Sequence, residues 1–146
     1  MGTKSKKLWN TVQSQMEAIK NDYPRCEELT DYFKDTLGDF LDAPLLSKKR
    51  KDIYGQMVSV SLKLLPFAED MVNRIRIVGK HFDVFDTFMN EKKAARRDDW
   101  TSLKKKSLED YLNKMAAAKP KLEDIRRLCN PIPQYVTDAL AHCKQA

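Results

Sequence analysis

The chain has 146 residues, 33% of them charged, with 27 Lys and Arg against 21 Asp and Glu for a formal charge of +6. That length sets one domain as the expectation, and a hydrophobic share of 42% is enough for a core, so the chain need not be disordered. No run approaches ~18 uninterrupted apolar residues, which excludes a membrane-crossing helix of the usual kind.

Cys26, Cys129 and Cys143 form an odd set with no CxxC pair, so reduced thiols in the cytosol are expected rather than a disulfide framework. The start, Met1-Gly2-Thr3-Lys4-Ser5-Lys6, is basic but lacks the apolar run of a signal peptide. Lys6 also stands where a myristoylation pattern wants Ser or Thr. The expectation is a cytoplasmic protein, with peripheral membrane attachment as a further option. Only four glycines are present, and Lys, Glu, Leu, Ala and Met fill long stretches, which favours helix throughout.

In chain order, a first amphipathic helix is expected from about Ser5 to Asn21, with Leu8, Val12, Met16 and Ile19 on one face. Tyr23-Pro24 should interrupt it, because the residue before proline is pushed out of the helical region. Pro24 then suits the first turn of a second helix, where Glu27 and Glu28 complement the positive end of the dipole. Its buried face is read as Leu29, Tyr32, Phe33, Leu37, Phe40 and Leu41, and it ends near Asp42 before Ala43-Pro44.

The strongest signal follows. Tyr54, Met57, Ser61, Leu64, Ala68, Met71, Ile75, Val78, Phe82, Phe85 and Met89 recur at alternating steps of three and four, and only Ser61 is polar. That spacing predicts a helix laying one stripe against other helices. Val58, Leu65 and Val72 widen it on one flank, and Val60, Phe67 and Phe88 on the other, so two or more neighbours are expected. Pro66 lies on the outward face, where a kink is expected. If its flanks from Ser47 to Ala95 are helical too, the element spans roughly 70 Å at about 1.5 Å per residue. A compact chain of this length has a radius of gyration of about 15 Å. Either the chain is elongated or this helix breaks, with Gly79 the expected place.

Asp98 or Asp99 is read as the N-cap of a fourth helix reaching about Lys119, with Trp100, Leu103, Leu108, Tyr111, Leu112 and Met115. Lys119-Pro120 should end or kink it, and a short segment with Leu122, Ile125 and Leu128 leads to a stop at Asn130-Pro131-Ile132-Pro133. Pro133 can open a short last helix bearing Val136, Leu140 and Cys143.

Charge is unevenly placed. Residues 22–42 carry two positive and seven negative side chains, a net of −5. Lys48, Lys49, Arg50 and Lys51 follow at once. A second cluster, Lys92, Lys93, Arg96 and Arg97, lies at the far end of the long helix, with Lys104, Lys105 and Lys106 close after it. Each Lys or Arg near an anionic leaflet is worth about 1 kcal/mol, so these clusters acting together would matter. Duplex nucleic acid responds to the same charge. However, the aromatics fall on the apolar seams rather than among the lysines, so stacking platforms for single strands are not evident. The same lysines would also keep a bundle soluble.

Catalytic and metal signals are weak. His81 and His142 are the only histidines, and neither has a partner at zinc or di-iron spacing, so no metal or cofactor is expected. His81 is read as a partly buried structural residue beside the seam. Asp83 with Asp86, and Glu27 with Asp31, are read as solvated faces. No GxGxxG, P-loop or GxSxG occurs, and no enzyme is expected.

The fold class expected is all-α: a helical bundle of four main helices plus a short C-terminal one, built on one long kinked central helix. A long kinked helix flanked by shorter ones, with lysines at its tips, resembles BAR-type membrane-curving dimers in outline. No residue motif carries that resemblance, and no residue role is taken from it. The leading expectation is a non-enzymatic helical scaffold that self-associates, as a homodimer, and docks on an anionic surface, preferably a membrane. A cytosolic adaptor bundle with a protein partner comes second, and nucleic-acid binding third.

Overall fold

The computed structural model describes residues 2–97 and 99–145. It holds three long helices, α1 (Thr3–Asp42), α2 (Lys48–Ala94) and α3 (Ser102–Cys129), and a short α4 (Ile132–Gln145). Among the described residues there is no strand. The all-α class read from the spacing is what the chain adopts. The count of four main helices is corrected to three.

The difference in count comes from Pro24, and Pro120 adds to the length of α3. Pro24 lies inside α1, where a break was expected, and Pro120 lies inside α3, where an end or a kink was expected and the helix does not end. An interior proline costs about 3 kcal/mol, whereas each large apolar side chain buried is worth about 1.5–3 kcal/mol. In α1, Ser5, Val12, Ile19, Cys26, Phe33 and Phe40 are all buried and fall every seventh residue, straight through Pro24. In α3, Leu108, Met115, Leu122 and Cys129 do the same through Pro120. Pro24, Pro66 and Pro120 are all exposed. A proline on the outward face leaves the stripe in phase, and burial along the stripe outweighs the lost hydrogen bond.

Helix starts are set by hydroxyl caps. Ser47 Oγ accepts from the Arg50 N–H at 3.1 Å and starts α2. Thr101 Oγ1 accepts from the Lys104 N–H at 3.2 Å and starts α3. Thr101 therefore takes the capping role expected of Asp98 or Asp99. Asp99 lies in the turn before it, and Asp98 is outside the described residues. Asn130-Pro131 does separate α3 from α4, and Pro133 sits in the first turn of α4, where its missing N–H has no intrahelical partner to lose.

The chain forms two compact units. Unit 1 takes the chain up to Ile19 together with Arg74–Arg126. Its core is Val12, Met16 and Ile19 of α1, Ile75, Val78, Phe82, Phe85 and Met89 of α2, and Leu108, Met115 and Leu122 of α3. Phe85 meets Trp9 at 5.3 Å and Tyr111 edge-on at 6.0 Å between ring centroids, so three helical segments converge on it.

Unit 2 takes Lys20–Asn73 together with the chain from Arg127. Here Cys26, Leu29, Phe33 and Phe40 pack with Met57, Leu64, Ala68 and Met71, and with Cys129, Ile132, Val136 and Cys143. Phe33 meets Tyr135 edge-on at 6.2 Å, and Phe40 meets Tyr54 at 6.4 Å. Ser61 enters this core by donating its hydroxyl to the Val58 carbonyl at 2.6 Å.

From Met57 to Met89 every residue of the expected seam is buried, and Tyr54 is half-buried. α2 is continuous through Gly79, so the expected break does not occur. Tyr32 and Leu41, expected on a buried face, are exposed, as is His81. All three lie just off the stripe that neighbouring helices cover.

Candidate anion-docking surface

The join between α1 and α2 in unit 2 gathers charge, exposed apolar surface and backbone strain. The Ser47 N–H donates to the Pro44 carbonyl at 3.3 Å and closes a turn over Pro44–Ser47. Leu46, its third residue, has φ of 58°. That is the left-handed position of a type II turn, which ordinarily takes Gly or Asn. A residue with a Cβ there costs about 1–2 kcal/mol. Leu45 is 74% exposed and Leu46 87%. The fold carries strain at Leu46 and obtains little burial from it in return.

The first basic cluster follows this turn directly. Lys48, Lys49 and Lys51 are exposed, but Arg50 is only 8% exposed. Helical phase explains the contrast, since Arg50 lies seven residues before Met57 and shares the buried stripe. Its guanidinium carbon stands 4.4 Å from the centroid of the Phe40 ring. Nε and Nη1 of Arg50 are buried without a hydrogen-bond partner among the described residues. Beside it is a hollow of about 200 Å³ lined by Phe40, Leu46, Ser47, Arg50, Lys51, Tyr54, Cys143 and Lys144. Burial pushes the Cys143 thiol up, and the nearby Arg50 charge opposes that shift.

The other expected basic residues belong to unit 1. Lys93, Arg96, Arg97 and Lys106 are exposed, while Lys92 and Lys105 are half-buried. Several are engaged by their own unit. Arg96 pairs with Glu109 at 3.9 Å. Lys92 Nζ lies 5.4 Å from the centroid of Phe88, and Lys104 Nζ lies 3.9 Å from that of Trp100.

Other carboxylates make hydrogen bonds within their own unit. Asp86 accepts from Lys119 Nζ at 3.2 Å and from Asn90 Nδ2 at 3.2 Å. Glu27 accepts from the Tyr23 hydroxyl at 3.2 Å. Cys26 and Cys129 are free and fully buried in unit 2. Their contact draws the Cys26 thiol down from 9.0 to about 7, and the same contact together with burial pushes Cys129 well up. Among the described residues no three His, Cys, Asp or Glu side chains are placed to hold a metal ion, and no helix is long and apolar enough to cross a membrane.

The charge run in the sequence marks Lys48, Lys49 and Lys51, which the fold leaves exposed, but not the exposed leucines or the burial of Arg50. Both had signals: a Leu-Leu pair between Pro44 and a capping Ser, and the seven-residue step from Arg50 to Met57. Comparison with protein-family models, curated proteins and solved structures finds no match.

Proposed function

We propose that the chain is a non-enzymatic helical protein that docks on anionic membrane surfaces through the tip between α1 and α2. The observation that carries this reading is the exposed Leu45-Leu46 pair, held in a strained turn beside exposed Lys48, Lys49 and Lys51. Three lysines at about 1 kcal/mol each near an anionic leaflet supply about 3 kcal/mol. Two leucines entering the interface at about 1.5 kcal/mol each supply a similar amount. Together that is about 6 kcal/mol, a reversible affinity of the same order as one myristoyl chain gives. Neither half suffices alone.

Self-association in this reading uses a surface other than the α2 seam, because the chain's own helices bury that seam from Met57 to Met89. An adaptor role is favoured by one observation: Tyr32, 52% exposed, lines a groove of about 400 Å³ in unit 2 with Arg25, Glu28, Gln56 and Lys63.

Co-sedimentation with phosphatidylserine and phosphatidylcholine vesicles tests the proposal. Binding is expected to the anionic vesicles only, and to be lost in Leu45→Ser/Leu46→Ser and in Lys48→Glu/Lys49→Glu/Lys51→Glu alike. Absence of binding to anionic vesicles at low salt would overturn membrane docking in favour of a protein partner. Tighter retention by duplex DNA than by lipid, indifferent to the leucines, would overturn it in favour of nucleic acid.

A further inference from the structure

We infer that the hollow beside Arg50 is a binding site for a phosphate group. Arg50 is more than nine-tenths buried, and two of its three guanidinium nitrogens, Nε and Nη1, have no acceptor among the described residues. A buried charge without a partner is costly, and native structures place such donors against an ion, a carboxylate or ordered water. Among the described residues no carboxylate lines the hollow. The charged residues among those described that line it are Arg50, Lys51 and Lys144, all cationic.

Helix geometry adds to this field. Ser47 caps α2 and also lines the hollow, so the hollow lies at the first turn of a 47-residue helix, its positive end. Arg50 is held by stacking on Phe40, which positions the guanidinium without using any of its N–H donors. A volume of about 200 Å³ takes one small anion with a few waters, at about 30 Å³ per water. The choice of phosphate follows from the donor count. A phosphate group brings up to two negative charges and three strong acceptor oxygens, whereas a carboxylate brings one charge and two oxygens. Against a guanidinium and two ammonium groups, the carboxylate leaves more of the set unmet.

The phosphate has two sources, a lipid headgroup or a free phosphate in solution. The site lies at the proposed docking tip, but its occupation by free phosphate does not depend on membrane docking, so the two readings fail separately. Titration calorimetry of the full chain with inorganic phosphate, at ionic strength matched with chloride, is the primary test. Saturable binding of one phosphate per chain is expected, and Arg50→Gln should abolish it. Lys51→Glu/Lys144→Glu changes only exposed rim residues and should weaken binding about tenfold or more with helicity intact. No saturable heat from the wild-type chain, or equal affinity in the rim variant, would overturn the site. Vesicles then assign the source. Preference for phosphatidic acid over phosphatidylserine at equal charge, lost in Arg50→Gln, supports a headgroup. Free-phosphate binding without that preference supports a soluble phosphate.

Discussion

Leu46 is where a single side chain most openly works against the fold. At φ of 58° it occupies a position suited to glycine, and it is 87% exposed. Leu46→Gly is therefore expected to raise stability by about 1 kcal/mol in urea denaturation, the strain relieved being partly offset by greater freedom of the unfolded chain. The same variant should bind anionic vesicles more weakly. A loss of stability would show that the side chain is held by packing after all. Tyr23 offers a second test at this scale, through pH. Burial, and then its hydrogen bond to Glu27, push the phenol from 10.0 to about 12. Between those values the folded chain retains a proton that the unfolded chain has lost. Stability from this group is thus intact below pH 10 and falls as pH rises toward 12. Tyr23→Phe should flatten that decline, and near-ultraviolet titration should show one tyrosine ionising late. Parallel declines in the two proteins would refute the shift.

Helices, rather than residues, show how much of the fold was legible. The three-and-four spacing of α2 carried its buried face almost residue by residue, because burial is what that spacing encodes. Local rules about proline misled, since they describe a cost without the stripe that outweighs it. The seventh-residue series in α1, from Ser5 to Phe40, passes Pro24 without a change of phase, and reading it would have joined the two helices. Leu64, fully buried at the middle of α2, measures what the stripe is worth. Leu64→Ala should cost about 2–5 kcal/mol through lost transfer energy and a cavity, against less than about 0.5 kcal/mol for exposed Lys106→Ala. Gly79 tests continuity. A Cβ there would stand 3.0 Å from Arg126 Nη2, the far end of a flexible side chain. Arg126 can give way, so Gly79→Ala should stabilise the chain by about 0.5–1 kcal/mol through helix propensity. Marked destabilisation would mean that α2 needs its glycine there.

At the scale of the whole molecule, the excess of positive charge was legible, but its usefulness at each position was not. Sequence runs weigh Lys48, Lys49, Arg50 and Lys51 equally, whereas helical phase sends three to solvent and turns Arg50 inward. The clusters of unit 1 are likewise partly committed, Arg96 to Glu109 and Lys92 to the face of Phe88. Charge reversal should therefore act unequally. Lys48→Glu/Lys49→Glu/Lys51→Glu is expected to abolish sedimentation with phosphatidylserine vesicles, while reversal of Lys92, Lys93, Arg96 and Arg97 should reduce it only in part. Salt gives the complementary test. Screening shortens from about 10 Å at 0.1 M to about 3 Å at 1 M, which removes the contribution of the lysines and leaves that of the leucines. Losing about 3 of 6 kcal/mol weakens binding roughly a hundredfold. Wild-type affinity should fall by about that factor across the salt range, whereas the lysine-reversal variant should show no measurable sedimentation at any salt. A wild type indifferent to salt would make the lysines solubilising charge and leave the leucines as the whole of the contact.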